Sequence, residues 1–135
     1  MGSNLKLNDQ INEYIYNHSI KLHPVQNEII KYNKTLGDIK KMQISISQCH
    51  FLHFIVKIIK PKNILEIGTF TGLSALTMGL AMEENSMLTA LDKNKETSDV
   101  AMSFFKKAKI DNKINLLINK AKVSLENLYN QKKKI

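Results

Sequence analysis

The chain has no arginine, no tryptophan, one cysteine and two prolines in 135 residues. Each scarcity excludes something. Without arginine there is no bidentate fork for phosphate or guanine. The net charge of +8 is therefore carried by lysine alone. Beside abundant asparagine and isoleucine, that reads as compositional bias, and nucleic acid is not a favoured partner. The Lys132-Lys133-Lys134 tail reads as a solvated end. The lone Cys49 can form no internal disulfide and suits a reducing cytoplasm. Long hydrophobic runs are also missing. The longest apolar stretch, Phe51 to Ile59, contains His53 and Lys57 and is too short to cross a bilayer. The N-terminus is polar, which argues against a secretory signal, and Lys6 breaks a myristoylation start. The expectation is a cytoplasmic chain with no membrane segment and one core.

What is present has ordinary globular proportions, 43% hydrophobic and 24% charged. Residues 1–40 read as amphipathic helices, with Ile11, Tyr14, Ile15 and His18 on one face. Pro24 suits the first turn of a second helix carrying Val25, Ile29 and Ile30, and Gly37 can end it. Met42 to Ser45 reads as a connector. Ser45 or Ser47 can cap a third helix through Lys60, where Pro61 stops it. The period then changes. Strands are predicted at Asn63 to Ile67, Met87 to Leu91 and Ile114 to Ile118. Helices are predicted at Gly72 to Glu84, Thr97 to Lys109 and Val123 to Gln131, the middle one with Val100, Phe104 and Phe105 inward. This alternation means βαβ units and a parallel sheet, with the three strands side by side.

The chemistry concentrates in Ile64-Leu65-Glu66-Ile67-Gly68-Thr69-Phe70-Thr71-Gly72-Leu73-Ser74. An apolar strand ending on a carboxylate runs into glycines at the start of a helix. Gly68 can take a positive φ, and Gly72 lets the helix pack tightly against the strand. N–H groups at that helix start can hold a carboxylate or phosphate, with the Ser74 hydroxyl beside them. Asp92 ends the second strand, where a carboxylate can accept both hydroxyls of a ribose. The pattern is Glu-x-Gly-x-x-x-Gly, with no Walker lysine-serine pair, so a triphosphate site is not expected. A tight structural turn alone would explain the glycines. With Glu66 and Asp92 added, a nucleoside ligand is favoured. Cys49, His50 and His53 cluster on one helix, but their neighbours are apolar and no second pair has zinc spacing, so no metal site is expected. His18 and His23 read as surface or capping residues, and Met78, Met82 and Met102 as core filler.

Met42-Gln43-Ile44-Ser45, the Leu65 to Leu76 stretch and Thr89-Ala90-Leu91-Asp92 together resemble the S-adenosylmethionine-dependent O-methyltransferase family that includes the caffeoyl-CoA and catechol enzymes. The resemblance covers roughly residues 8–130 without gaps. It implies a partial Rossmann-like methyltransferase fold: α/β, with a parallel half-sheet in the order 3-2-1 and an N-terminal helical cap. Residues 1–60 would be the cap and 61–135 the first half of the cofactor-binding unit, in a single domain. The resemblance also implies roles in binding S-adenosyl-L-methionine. Ile44 contacts the cofactor through its backbone. Glu66, Gly68 and Thr69 line its methionine and sugar part, Ser74 binds the carboxylate, Asp92 the ribose, and Ala121 borders the adenine. The acceptor would be a small hydroxylated, catechol-like molecule.

Two departures accompany the resemblance. Ile46-Ser47-Gln48-Cys49-His50 stands where members carry Pro, an acidic residue and Gln-Gly-Gln. The family's Asp-Ala-Asp-Lys segment, implied to hold a divalent cation and assist deprotonation, is absent from these residues. The expectation is a truncated member with impaired catalysis and no catalytic or metal-ligating residue of its own. A tRNA hydroxyuridine methyltransferase and an inactive cofactor-binding or partner-packing remnant remain alternatives. The first strand would be an apolar sheet edge, covered by a second copy, a complementing C-terminal fragment or rearranged N-terminal helices.

Overall fold

The computed structural model describes residues 8–131. Their order is α1 (Asp9–His18), α2 (Pro24–Asn33), a 3-10 helix (Gly37–Met42), α3 (Ile46–Ile59), β1 (Asn63–Ile67), α4 (Leu73–Ala81), β2 (Met87–Asp92), α5 (Lys95–Lys107), a short 3-10 turn (Asp111–Lys113), β3 (Ile114–Ile118) and α6 (Ala121–Asn130). The three strands form one parallel sheet in the order β1-β2-β3, as the alternation predicts.

Local signals set the helix ends. The Asn8 side chain caps α1 by accepting from the Ile11 N–H at 2.9 Å. His23 caps α2 and Ser45 caps α3, each in a reciprocal pair with the glutamine three residues on, Gln26 and Gln48. Lys60 closes α3 in the left-handed region, and Pro61 follows. Several boundaries differ from the expectation. Helix α2 ends at Asn33, and Gly37, at φ +60°, opens a 3-10 helix in place of ending α2. Helix α4 stops at Ala81. Helix α5 begins two residues early because the Asn94 side chain caps it, accepting from the Thr97 N–H at 3.1 Å. Phe105 is fully buried as expected, but its inward companions are Thr97, Ser98 and Ala101, whereas Val100 and Phe104 are only half-buried.

The core lies between one face of the sheet and helices α2 to α5. Register places Ile64 beside Leu88, and Leu88 beside Ile114. These meet Leu76, Met78 and Phe105 from the helices. Helix α3 packs on α4 through Cys49, Leu52 and Val56, and α2 reaches α4 and α5 through Val25 and Ile29. A buried hydrogen bond from the Gln26 side-chain nitrogen to Thr77 Oγ1, 2.7 Å, ties α2 to α4. Met78 and Met82 fill the core.

Two surfaces stay apolar and uncovered among the described residues. The outer edge of β1 has no strand partner, and Ile67 at its end is 60% exposed. The α3 face carrying Phe51 and Ile58 is exposed as well. The N-terminal helices therefore do not seal β1; α2 and α3 pack chiefly on α4, α2 also touches α5, and α1 lies on α3. By length and composition, Gly37–Ile59 is apolar enough to cross a membrane, a longer stretch than the sequence reading marks. It is two elements rather than one rod, a 3-10 helix and α3 separated by Gln43–Ser45.

Candidate functional site: a cofactor cleft at the strand ends

The C-terminal ends of β1 and β2, together with the segment after β3, surround a cavity of about 470 Å³. That falls in the range of small-molecule sites. Gly68, Asp92 and Ala121 line it, as do Met42, Phe70 and Asn119.

Asp92 organises the turn. Its Oδ2 accepts from the Thr69 N–H at 2.9 Å and the Phe70 N–H at 2.7 Å. Its Oδ1 accepts from the Asn94 N–H at 2.9 Å. The Gly68 N–H donates to the Leu91 carbonyl at 2.8 Å, and the Asn119 N–H to the Asp92 carbonyl at 2.8 Å. One carboxylate thus fixes both the β1–α4 turn and the entry to α5. Gly68 and Gly72 sit at φ +90°, and Phe70 at φ +52°. A Cβ on Gly68 would meet nothing within 4 Å, so that glycine serves conformation alone. A Cβ on Gly72 would lie 2.7 Å from the Phe105 ring and 2.9 Å from the Ala101 Cβ. Gly72 therefore permits packing of the turn against α5, not against the strand as the motif suggests.

Glu66 lies under the turn. The Ser74 hydroxyl donates to its Oε1, while its Oε2 is buried without a hydrogen-bond partner. Burial pushes the Glu66 carboxyl above its ordinary range. The Ser74 hydroxyl and, from farther off, the Thr69 hydroxyl offset part of this, and the Asp92 charge adds a smaller upward push. A buried, unpaired carboxylate oxygen beside a cleft is a place for a ligand's cationic or hydrogen-donating group.

The residues singled out in the sequence fall into three groups. Gly68, Asp92 and Ala121 line the cavity. Glu66, Thr69 and Ser74 do not line it: the Thr69 N–H is tied to it through Asp92, whereas Ser74 and Glu66 bond to each other behind the turn. Ile44 instead packs half-buried against the core, and its neighbour Met42 reaches the cavity. Sequence reasoning passes over Phe70, Asn94 and Asn119. Asn94 has a legible signal as an asparagine just before a helical pattern. Asn119 contributes a backbone N–H and has none. Among the described residues, no group of three or more His, Cys, Asp or Glu could hold a metal ion.

A family model described as O-methyltransferase matches residues 16–135. The chain belongs to the O-methyltransferase family. This family member is 35% identical over 127 residues to probable caffeoyl-CoA O-methyltransferase 2 of Dictyostelium discoideum, covering 94% of the chain and 55% of that protein. It is 34% identical over 116 residues to tapetum-specific methyltransferase 1 of Arabidopsis thaliana, covering 82% of the chain and 50% of that protein. Among solved structures, it superposes on an O-methyltransferase from Bacillus cereus in complex with SAH. The TM-score is 0.85 at 23% identity, over 93% of this chain and 56% of that one. The chain spans about half the length of the curated relatives it matches.

Proposed function

We propose that these 135 residues form the cofactor-binding part of an S-adenosylmethionine-dependent O-methyltransferase. The observation that carries this reading is the Asp92-organised turn with the orphaned Glu66 Oε2 beneath it. Structures similar in fold are complexes with SAH and SAM, which supports the same choice of ligand. In the proposed pose Asp92 faces the ribose and Ala121 borders the adenine. Gly68 and Thr69 pass the backbone close to the sugar and methionine part, and Ile44 lends backbone contact from the cap. Ser74 meets the methionine carboxylate, and the cofactor's amino group supplies the cation that fits Glu66.

S-adenosylmethionine supplies an electrophilic methyl on a sulfonium centre, and transfer is an in-line displacement by an acceptor oxygen. The residues named above can hold and orient the donor, which is the entropic part of catalysis. The divalent cation that the resemblance implies does not fit here, because no cluster of three ligands is present among the described residues. No step is therefore assigned to it. The acceptor is proposed as a small hydroxylated molecule, in keeping with relatives named for caffeoyl-CoA. Methyl transfer is proposed to need polypeptide that completes the sheet at β1, either a complementing C-terminal fragment or a second copy. The cap, residues 1–60, and the cofactor unit, 61–135, act together as one domain in the cytoplasm.

Calorimetric titration with S-adenosylmethionine tests the cofactor assignment. Binding should be saturable. Asp92→Ala should abolish it, as should Ala121→Leu, which fills the cavity without touching the turn. No heat with the native chain, or indifference to both changes, sinks the assignment. Light scattering after size exclusion tests completion of the sheet: a well-behaved monomer with β1 exposed would refute it.

A further inference from the structure

All four histidines of the chain line one groove far from the glycine turn. The groove measures about 810 Å³ and runs between the α1–α2 connection and α3. His18 comes from the end of α1, Lys21 and His23 from the connection, and His50, His53 and Lys57 from α3. Among the described residues no carboxylate lines it. Leu22, Phe54 and Leu80 supply apolar surface, and α4, which bounds one side, carries no charged residue. It shares no residue with the cofactor cleft.

The arrangement is unusual in what it tolerates. Residues 50, 53, 54 and 57 are spaced to share one helical stripe, and three of the four are basic. When imidazoles on the stripe are protonated, like charges at such spacing destabilise a helix unless something neutralises them. Some lysines elsewhere are ion-paired and others are not: Lys60 and Lys62 reach Glu83, Lys107 reaches Glu28 and Lys113 reaches Glu84, whereas Lys31, Lys34 and Lys106 have no ion pair among the described residues. Lys21 and Lys57 have no ion pair among the described residues. The His53 imidazole is pushed below its usual value, first by burial, then by Lys57 and His50. Two other rings, those of His23 and His18, are oriented by backbone contacts. His23 Nδ1 accepts from the Val25 N–H at 3.2 Å, which leaves the Nε2 proton to donate outward. His18 Nδ1 lies 2.8 Å from the Tyr14 carbonyl, so it carries the proton there and leaves Nε2 free.

We propose that this groove binds a small organic anion with an apolar body, its head held by Lys21, Lys57 and the imidazoles and its body against Leu22, Phe54 and Leu80. The groove has the volume of a small-molecule site. Its charge is of one sign, and its walls are apolar. The anion would neutralise the α3 stripe and favour protonated His53, so binding takes up a proton. Affinity is then highest at acidic pH and falls as pH rises toward and through the ordinary histidine range.

Sodium decanesulfonate is a suitable probe, because its charge does not change with pH. Below its micellar concentration it should bind the full chain once, at least several-fold tighter at pH 6 than at pH 8. Decyltrimethylammonium, of equal length and opposite charge, should not saturate. Lys57→Ala and His53→Gln should each weaken the sulfonate several-fold, and His53→Gln should flatten the pH dependence. Lys21→Gln, at an exposed position that cannot unfold the chain, should weaken it too. Equal binding of anion and cation would mean adhesion to exposed apolar surface and would overturn the proposal. So would binding indifferent to Lys21, His53 and Lys57, the absence of saturable binding, or cosedimentation with anionic lipid vesicles in place of one-to-one binding.

Discussion

Replacing Gly72 by alanine separates two reasons for a glycine in the turn. At φ +90° any L residue is strained, by about 1–2 kcal/mol in the left-handed region. Gly68 has the same φ and open space around it, so Gly68→Ala should cost that strain alone. Gly72→Ala adds overlap: its Cβ would meet Phe105 at 2.7 and 2.8 Å and Ala101 at 2.9 Å. The Phe105 atoms lie at the far end of the ring, which could swing aside on a surface. Here Phe105 and Ala101 are both fully buried, so there is nowhere to go. Overpacking of this kind costs about 1–3 kcal/mol more, for a total of about 2–5 kcal/mol. With a urea slope near 2 kcal/mol/M, the Gly72→Ala midpoint should fall roughly 1 M further than that of Gly68→Ala. Shrinking the ring should return part of the loss, so Gly72→Ala with Phe105→Leu should be less destabilised than the sum of the single changes. Equal midpoints for Gly72→Ala and Gly68→Ala, or strict additivity with Phe105→Leu, would refute the packing argument.

Other consequences follow from single groups. Because the Glu66 carboxyl is raised in the folded chain, its contribution to stability is greatest below the ordinary glutamate value and is lost as pH rises through the raised one. Glu66→Gln should remove that decline, giving an unfolding midpoint that drops less than wild type above about pH 4.5. The Cys49 thiol is 1% exposed and pushed up by burial. Alkylation should be slow in the native chain and fast in urea, and rapid native labelling would contradict the burial. Ser45→Ala removes the side-chain acceptor that meets the Gln48 N–H. It should cost about 0.5–2 kcal/mol by denaturant melting, without shifting cofactor affinity in calorimetry.

Much of the fold was legible because period-2 and period-3.6 segments alternate cleanly after Pro61. The three strands sit at the predicted residues, with β2 running on through Asp92. Helix edges were less legible. The Asn94 cap moves the start of α5, and Gly37 begins a 3-10 helix where a stop was expected. Helix α6 opens at Ala121, so the residue expected to border the adenine is also a helix N-terminus. The role of Asp92 was half visible. Its place at a strand end could be read, but not that it accepts from the N–H groups of Thr69, Phe70 and Asn94, because those donors are backbone and leave no mark in the residue pattern. His50 and His53 were legible as a cluster on one helix, and His18 and His23 only as separate surface or capping residues. What joins them is the fold of the α1–α2 connection back onto α3, a tertiary fact that sequence spacing does not encode.

The cleft and the sheet edge place different demands on the chain. Every partner that shapes the glycine turn comes from residues 66–119, so the turn can be preorganised by three strands and two helices alone. Electrostatic preorganisation of this kind does not require the sheet to continue beyond β1. The free edge of β1 and exposed Ile67 do require it, because unpaired strand groups and apolar surface are costly in water and prone to pairing. Donor binding and sheet completion should therefore be separable. A change at Asp92 should abolish cofactor heat without altering association, and a charge placed at Ile67, as in Ile67→Lys, should weaken association. Ile67 also borders the cleft, so its effect on cofactor affinity is the measure of coupling between the two. If Ile67→Lys abolished association and left cofactor binding intact, the cleft would stand as a self-contained unit on half a sheet.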